Sequence, residues 1–394
     1  MKLTYADPAS VQMDAAILNG IGPIALKALA EGYTQAVHTL IARHGKIVYH
    51  KAFGNLTLAP DSPPAPPDAL YKVYSITKVM TAVSIMQLQE RGLLRFDDPV
   101  QKFLPEFVGE GKDEVTIAHL LTHTSGLRDD DVYQQFQAGE DRRRICAKPA
   151  RLSYVPYGGE WWWDALLKAP LAWPAGKEMS YAGSNYKLLG AVVKAVSGQS
   201  IGVFAKHNLI DPLGMKDTGY TKTAAEVRGR VVERRPMAHE KVSHMSDPKN
   251  FGHMSGDNSA SSTAYDLAVL GQMFLNRGVY GDVRILSEES IRLMTENQTW
   301  GITATWGDRF FEESGWSYGL NTSGIQDGFP TRTSYRHEGY AGACMLMDPQ
   351  LDMVMVVLTA LNMDPPINVD GIMETAVQAC TDYDYQPEPS KWRR

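Results

Sequence analysis

Strand-like runs stand near both ends of this chain and helical patterns fill its middle, which limits the folds open to it. Residues 36–43 and 46–53 read as paired strands, with His44-Gly45 between them as a hairpin turn. Residues 332–338, 342–348 and 351–361 are three further strand candidates, the last a nearly unbroken apolar run. The predicted fold class is therefore α+β: an antiparallel sheet flanked by N- and C-terminal helices, carrying an inserted, mostly helical domain. The expected partition is residues 1–114 and 256–394 for the sheet domain and 115–255 for the insert. A length of 394 residues suits a large domain carrying a second one better than a single core.

The helical expectations are specific. Residues 9–31 read as one amphipathic helix with Val11, Ala15, Leu18, Ile24, Leu26 and Leu29 as its stripe, and a break at Gly20 to Pro23. Five prolines between Pro60 and Pro67 mark a loop, because proline extends neither a ladder nor a helix interior. After that loop, Thr77 to Arg91 forms the strongest helical pattern, and Gly92 stops it. Residues 185–196, 264–277, 286–296 and 367–380 complete the helices.

Charge and cysteine usage narrow the partners. A net charge of -6 gives no basis for binding nucleic acid or an anionic membrane, so a small-molecule substrate is the expected partner. The run Arg142 to Arg144 follows Asp129, Asp130, Asp131, Glu140 and Asp141, and reads as a solvated, salt-laced segment. The three cysteines, Cys146, Cys344 and Cys380, show no C-x-x-C and cannot all pair; buried thiols in a reducing cytoplasm are expected. The opening residues MKLTYADPASVQMD lack an apolar h-region, so no signal peptide is expected, and no apolar run is long enough to span a membrane.

The most informative chemical pattern is S-x-x-K. Serine and lysine three residues apart share one helix face, with Cβ atoms about 5–6 Å apart. Burial lowers a lysine pKa, so such a lysine can take the serine proton. The pattern occurs three times, at Ser75–Lys78, Ser184–Lys187 and Ser246–Lys249. Ser246 leads into a proline and no apolar helix. Ser184 opens a helix, where serine commonly serves as N-cap. Ser75 opens the most apolar helix of the chain, which would hold Lys78 in low-dielectric surroundings, and is the first choice as nucleophile.

Other motifs compete less well. Gly198-Gln199-Ser200-Ile201-Gly202 matches the G-x-S-x-G elbow, which needs a strand before its serine. Here helical spacing precedes it, so Gly198 reads as a helix-ending glycine and Ser200 as the next N-cap. His119 and His123 have metal-ligand spacing without the accompanying glutamate or a third ligand, so no metal is expected and a structural role is. Trp161, Trp162, Trp163 and Trp173 fit an aromatic acyl pocket or core packing equally.

Five segments in order resemble the serine β-lactamase and penicillin-binding-protein superfamily, in its class C and family VIII carboxylesterase branch. They are Ser75-Ile76-Thr77-Lys78; Leu120 to Leu127 (LLTHTSGL); Tyr181 to Gly190; Asp211-Pro212-Leu213-Gly214-Met215; and His337-Glu338-Gly339. The resemblance implies a cofactor-free acyl-enzyme mechanism on Ser75, with Lys78 and Tyr181 sharing base and acid duties. It implies an oxyanion hole from the N–H groups of Ser75 and Tyr340, with His337 near the leaving group or carboxylate. Two departures, Gly183 for the family's asparagine and His337 for its lysine, favour esters over β-lactams or peptidoglycan stems. Gly339 and Trp161 complete the expected substrate-binding residues. An acyltransferase, a D-amino-acid amidase or peptidase, or a weak β-lactamase is the alternative within the same fold. A catalytically silent, ligand-binding relative is the alternative outside enzymes.

Overall fold

The computed structural model describes residues 1–145, 159–221, 227, 229–233, 255–306, 309–322, 330–360 and 369–385. Its centre is a seven-stranded sheet built from β1 (Thr4–Tyr5), β2 (Ala36–Arg43), β3 (Lys46–Gly54), β4 (Asn321–Thr322), β5 (Tyr335–Gly339), β6 (Ala343–Asp348) and β7 (Met353–Thr359). The spatial order is β1-β3-β2-β7-β6-β5-β4. The predicted hairpin is present, and His44 and Gly45 both take positive φ, 51° and 69°, as a two-residue type I′ turn requires. The three late strands also form, and β7 pairs antiparallel with β2 along its whole length. The sheet is antiparallel except at its edge, where β1, unforeseen in the sequence, runs parallel to β3.

Alternation sorts the sheet's side chains between two cores. Val37 and Ile41 of β2, with Met353, Met355 and Val357 of β7, pack under the terminal helices α1 (Ile21–Ala30) and α6 (Val369–Gln378). Leu40 and Ala42, with Val354, Val356 and Leu358, face the other core, where α2 (Thr77–Glu90) and α5 (Ala264–Leu275) lie. Gly271 lets α5 approach β7 closely, since a Cβ there would meet Val354 at 2.8 Å. The helix expected over residues 9–31 is instead three short pieces, Pro8–Val11, Ala15–Leu18 and α1. Asp7 and Asp14 each accept backbone N–H groups at a fresh helix start, and that capping divides the segment. Leu26, placed in the buried stripe, is 55% exposed.

Helix α2 is the hub of the second core. Every residue from Thr77 to Leu88 is buried. It packs against α4 (Gly183–Ser197), which α3 (Asp129–Ile145) also contacts, and against the short helix Ile201–Ala205. A small sheet ties these regions together: strand Glu178–Ser180 runs parallel to Thr303–Trp306, which pairs with Arg309–Phe311. Tyr181 follows the first of these strands directly.

One buried group gives the fold a pH dependence. His38 of β2 is fully buried, both its ring nitrogens lack partners, and it stacks on His50 at 5.0 Å. Burial, then His50, pushes its pKa down to about 3. The unfolded chain therefore binds a proton between about pH 6.5 and pH 3 that the folded chain refuses, so stability falls as pH drops through that window. The expected slope is about 1.4 kcal/mol per pH unit for this group. Chemical denaturation at pH 7 and pH 5 checks it: His38→Leu should flatten the acid loss by roughly one proton's worth. An unchanged slope in the variant would contradict the assignment.

Candidate active site

Ser75 lies in the 3-10 turn Tyr74–Ile76 that feeds α2. Tyr74, just before it, takes a left-handed φ of 46°, a conformation unusual for an aromatic residue. The helix start is pinned where Thr77 Oγ1 accepts the N–H of Ala260 at 3.0 Å. Ser75 is half-buried, whereas Lys78 is 2% exposed. Lys78 Nζ donates to Ser75 Oγ at 2.9 Å and to the carbonyl of Asp257 at 3.0 Å. Burial lowers the lysine pKa to about 8, aided by Lys187 and opposed by the charges of Asp257 and Asp129. A lysine so placed is a usable proton acceptor near neutral pH.

Tyr181 completes the group. Its side chain hydrogen-bonds Ser75, and Lys78 Nζ sits 5.0 Å from its ring centroid. Burial raises the phenol pKa well above its ordinary value, against a lowering contribution from the Ser75 bond. His123, Trp316 and His337 surround the ring, with centroids 4.5, 5.6 and 6.3 Å away. Thus the three residues singled out as catalytic meet at one point, drawn from α2 and from the segment leading into α4.

His337 stands on β5 and is 2% exposed. Its Nδ1 bonds the carbonyl of Glu338 at 2.8 Å, so that nitrogen carries the proton of the neutral ring and Nε2 offers only a lone pair. Burial, then Lys78, drives its pKa down to about 3. Among these neighbours the ring is neutral. Gly339 runs against the backbone just before the nucleophile's turn, since a Cβ there would meet the carbonyl of Val73 at 2.3 Å. That close approach brings Tyr340 beside Tyr74, with ring centroids 5.5 Å apart.

The other candidates are elsewhere or differently engaged. Ser184 Oγ donates to Asp129 at 2.6 Å while Lys187 pairs with Asp257, so this serine and lysine serve different partners. The N-terminus of α4 is capped by Asp129, which accepts the N–H groups of Gly183 and Ser184 at 2.7 and 3.0 Å, and not by Ser184 as expected. Helix α4 precedes Ser200 and Gly198 ends it with φ 74°, so the elbow geometry is missing. Ser246 to Lys249, Cys146 and the side chain of Trp161 lie outside the described residues. Trp162 lies under the Lys187 ammonium at 5.7 Å, and Trp173 donates to the carbonyl of Glu178 at 3.1 Å. His119 closes a capping box with Thr116.

Two residues unnoticed in the sequence, Asp257 and Lys72, shape the site. Asp257 accepts from Lys187 and from Ser255, and its carboxylate is held below the ordinary range by Lys187 and Lys78 despite burial. Lys72 donates to the carbonyl of Ser259, and burial lowers its pKa to about 8. A Cβ on Gly183 would meet carboxylate oxygens of Asp257 at 2.9 Å and Asp129 at 3.3 Å. The space beside the missing side chain is therefore taken by this charged network.

A family model described as Beta-lactamase matches residues 26–377. An Escherichia coli (strain K12) protein provisionally named D-alanyl-D-alanine carboxypeptidase is 26% identical over 91% of this chain and 85% of its own length. Esterase EstB of Burkholderia gladioli is 31% identical over 57% of each chain. Among solved structures, a family VIII carboxylesterase superposes with a TM-score of 0.69 at 21% identity, covering 93% of this chain and 98% of that one. With the match spanning both the sheet and the segments that carry Ser75, Lys78 and Tyr181, this chain belongs to the beta-lactamase family.

Proposed function

We propose that the protein is a carboxylesterase working through an acyl-enzyme on Ser75. Ser75 Oγ adds to the ester carbonyl carbon as its proton passes to Lys78. The oxyanion is received by the N–H groups of Ser75 and Tyr340. Collapse expels the alcohol, which takes a proton delivered through Tyr181 and Lys78. Water then adds to the acyl carbon by the same route and frees Ser75. No cofactor enters these steps.

The observation that carries the ester reading is the occupied space at Gly183. An asparagine there would drive its Cβ into the carboxylate of Asp257 at 2.9 Å, and that carboxylate is tied to Lys187 and Ser255. At position 183 a substrate amide finds no side chain to hold it. The neutral His337 likewise gives a substrate carboxylate no cation. Losing one such buried contact is worth about 1–3 kcal/mol, or roughly tenfold to a hundredfold. An amide also needs its nitrogen protonated on departure.

A hydrolysis panel tests this. The expected kcat/KM on p-nitrophenyl esters exceeds that on nitrocefin by orders of magnitude. Comparable values on the two would refute the ester reading and favour a β-lactamase. Absence of a fluorophosphonate adduct on the intact protein would refute the acyl-enzyme reading itself and favour a silent relative.

A further inference from the structure

His123 holds both neighbours of Tyr181. Its carbonyl accepts the N–H of Ser180 at 2.9 Å, and its Nδ1 accepts the N–H of Ala182 at 3.2 Å. The same nitrogen lies 3.2 Å from Asn185 Nδ2, whose amide oxygen accepts from Ser125 Oγ at 2.6 Å. Asn185 is thereby oriented with its NH2 toward the histidine, consistent with Nδ1 as an acceptor. The ring also lies against that of Tyr181, tilted by 39° with centroids 4.5 Å apart. These contacts need an unusual backbone: His123 takes φ 58°, the left-handed region that few side chains adopt. His123 is 1% exposed, and its Nδ1 and carbonyl are engaged by Ala182, Asn185 and Ser180.

We infer that His123 is a positioning residue: it brackets Tyr181 from both sides and so sets the phenol at Ser75. The inference rests on the acyl-enzyme reading for its kinetic consequence, and on geometry alone for its structural one. A residue that only tolerated the turn would need the positive φ and nothing more. A residue that positions Tyr181 needs the acceptor as well. Asparagine supplies both, because it is at home in the left-handed region and its Oδ1 hangs from Cγ as Nδ1 does. Glycine supplies the φ and no acceptor.

The experiment compares His123→Asn, His123→Gly and His123→Ala in the full chain. Hydrogen exchange over Ser180–Ala182 should quicken in the glycine and alanine variants and return toward the wild-type rate with asparagine. On a p-nitrophenyl ester, alanine and glycine should lower kcat about 10- to 100-fold with KM nearly constant, and asparagine should recover most of the rate. In a Tyr181→Phe background, His123→Ala should cost little more, since its effect passes through the tyrosine hydroxyl. Full activity in the glycine variant, or an undiminished His123→Ala loss in the Tyr181→Phe background, would overturn the inference. If the wild-type chain forms no Ser75 adduct, the proposed function fails, and the exchange comparison still decides whether His123 holds the tyrosine segment.

Discussion

Ser75→Ala should lower ester turnover by about 10⁴- to 10⁶-fold and abolish the fluorophosphonate adduct, while Ser184→Ala and Ser200→Ala retain most activity. The three serines sit in different physical settings. Ser75 Oγ accepts a hydrogen bond from a buried lysine at 2.9 Å and is only half-buried. Ser184 spends its hydroxyl on Asp129 at a helix start. Ser200 is preceded by a helix and not by a strand, so nothing lifts its hydroxyl into an elbow. Intact-mass measurement followed by peptide mapping of the adduct checks the assignment. Probe mass on a peptide containing Ser200 would sink it.

Lys78→Ala and Tyr181→Phe should each lower kcat about 10²- to 10⁴-fold with smaller changes in KM, and the double variant should be far less than multiplicatively worse. Both side chains act on one proton, so removing the second removes little more. The directions of their pKa shifts divide the labour. Lys78 is brought down to about 8, whereas burial lifts Tyr181 away from neutrality. Neutral Lys78 is then the acceptor and the tyrosine stays a phenol that relays the proton. The pH profile of kcat/KM should rise through an apparent pKa near 8 as Lys78 loses its proton. Asp257→Asn should move that midpoint to lower pH, because the carboxylate is what favours the ammonium. Near-normal kcat in Tyr181→Phe, or a midpoint that rises in Asp257→Asn, would break this division.

The parts legible in the sequence are those fixed by local pattern. The His44-Gly45 turn, the apolar run at Met353–Thr359 and the glycine stop at Gly92 each state their structure within a few residues. Ser75 and Lys78 were legible because a three-residue spacing joins them at the entry to the most apolar helical pattern. Tyr181 was not, since nothing nearby marks it as reactive; only the resemblance singled it out. Gly183 was read correctly as a missing side chain, yet its consequence depends on Asp129 and Asp257, each distant along the chain. Asp257 and Lys187 meet across 70 positions, a pairing no periodicity announces. Leu26 departs from its stripe for the opposite reason: Asp14 caps a short helix that ends at Leu18, and α1 starts afresh at Ile21, so one continuous periodicity does not describe the segment.

The pairing of β2 with β7 bears on how the protein is made. Its central ladder joins Val37 to Thr359 and Arg43 to Met353, so the strand synthesised near the beginning waits for one synthesised near the end. At about 5–20 residues per second, that delay is on the order of tens of seconds. During it, β2 can hydrogen-bond β3 along one edge while its other edge has no native partner. Vectorial synthesis therefore cannot complete the sheet piece by piece: the β7-facing edge of β2 stays without its native partner until Met353–Thr359 has been made.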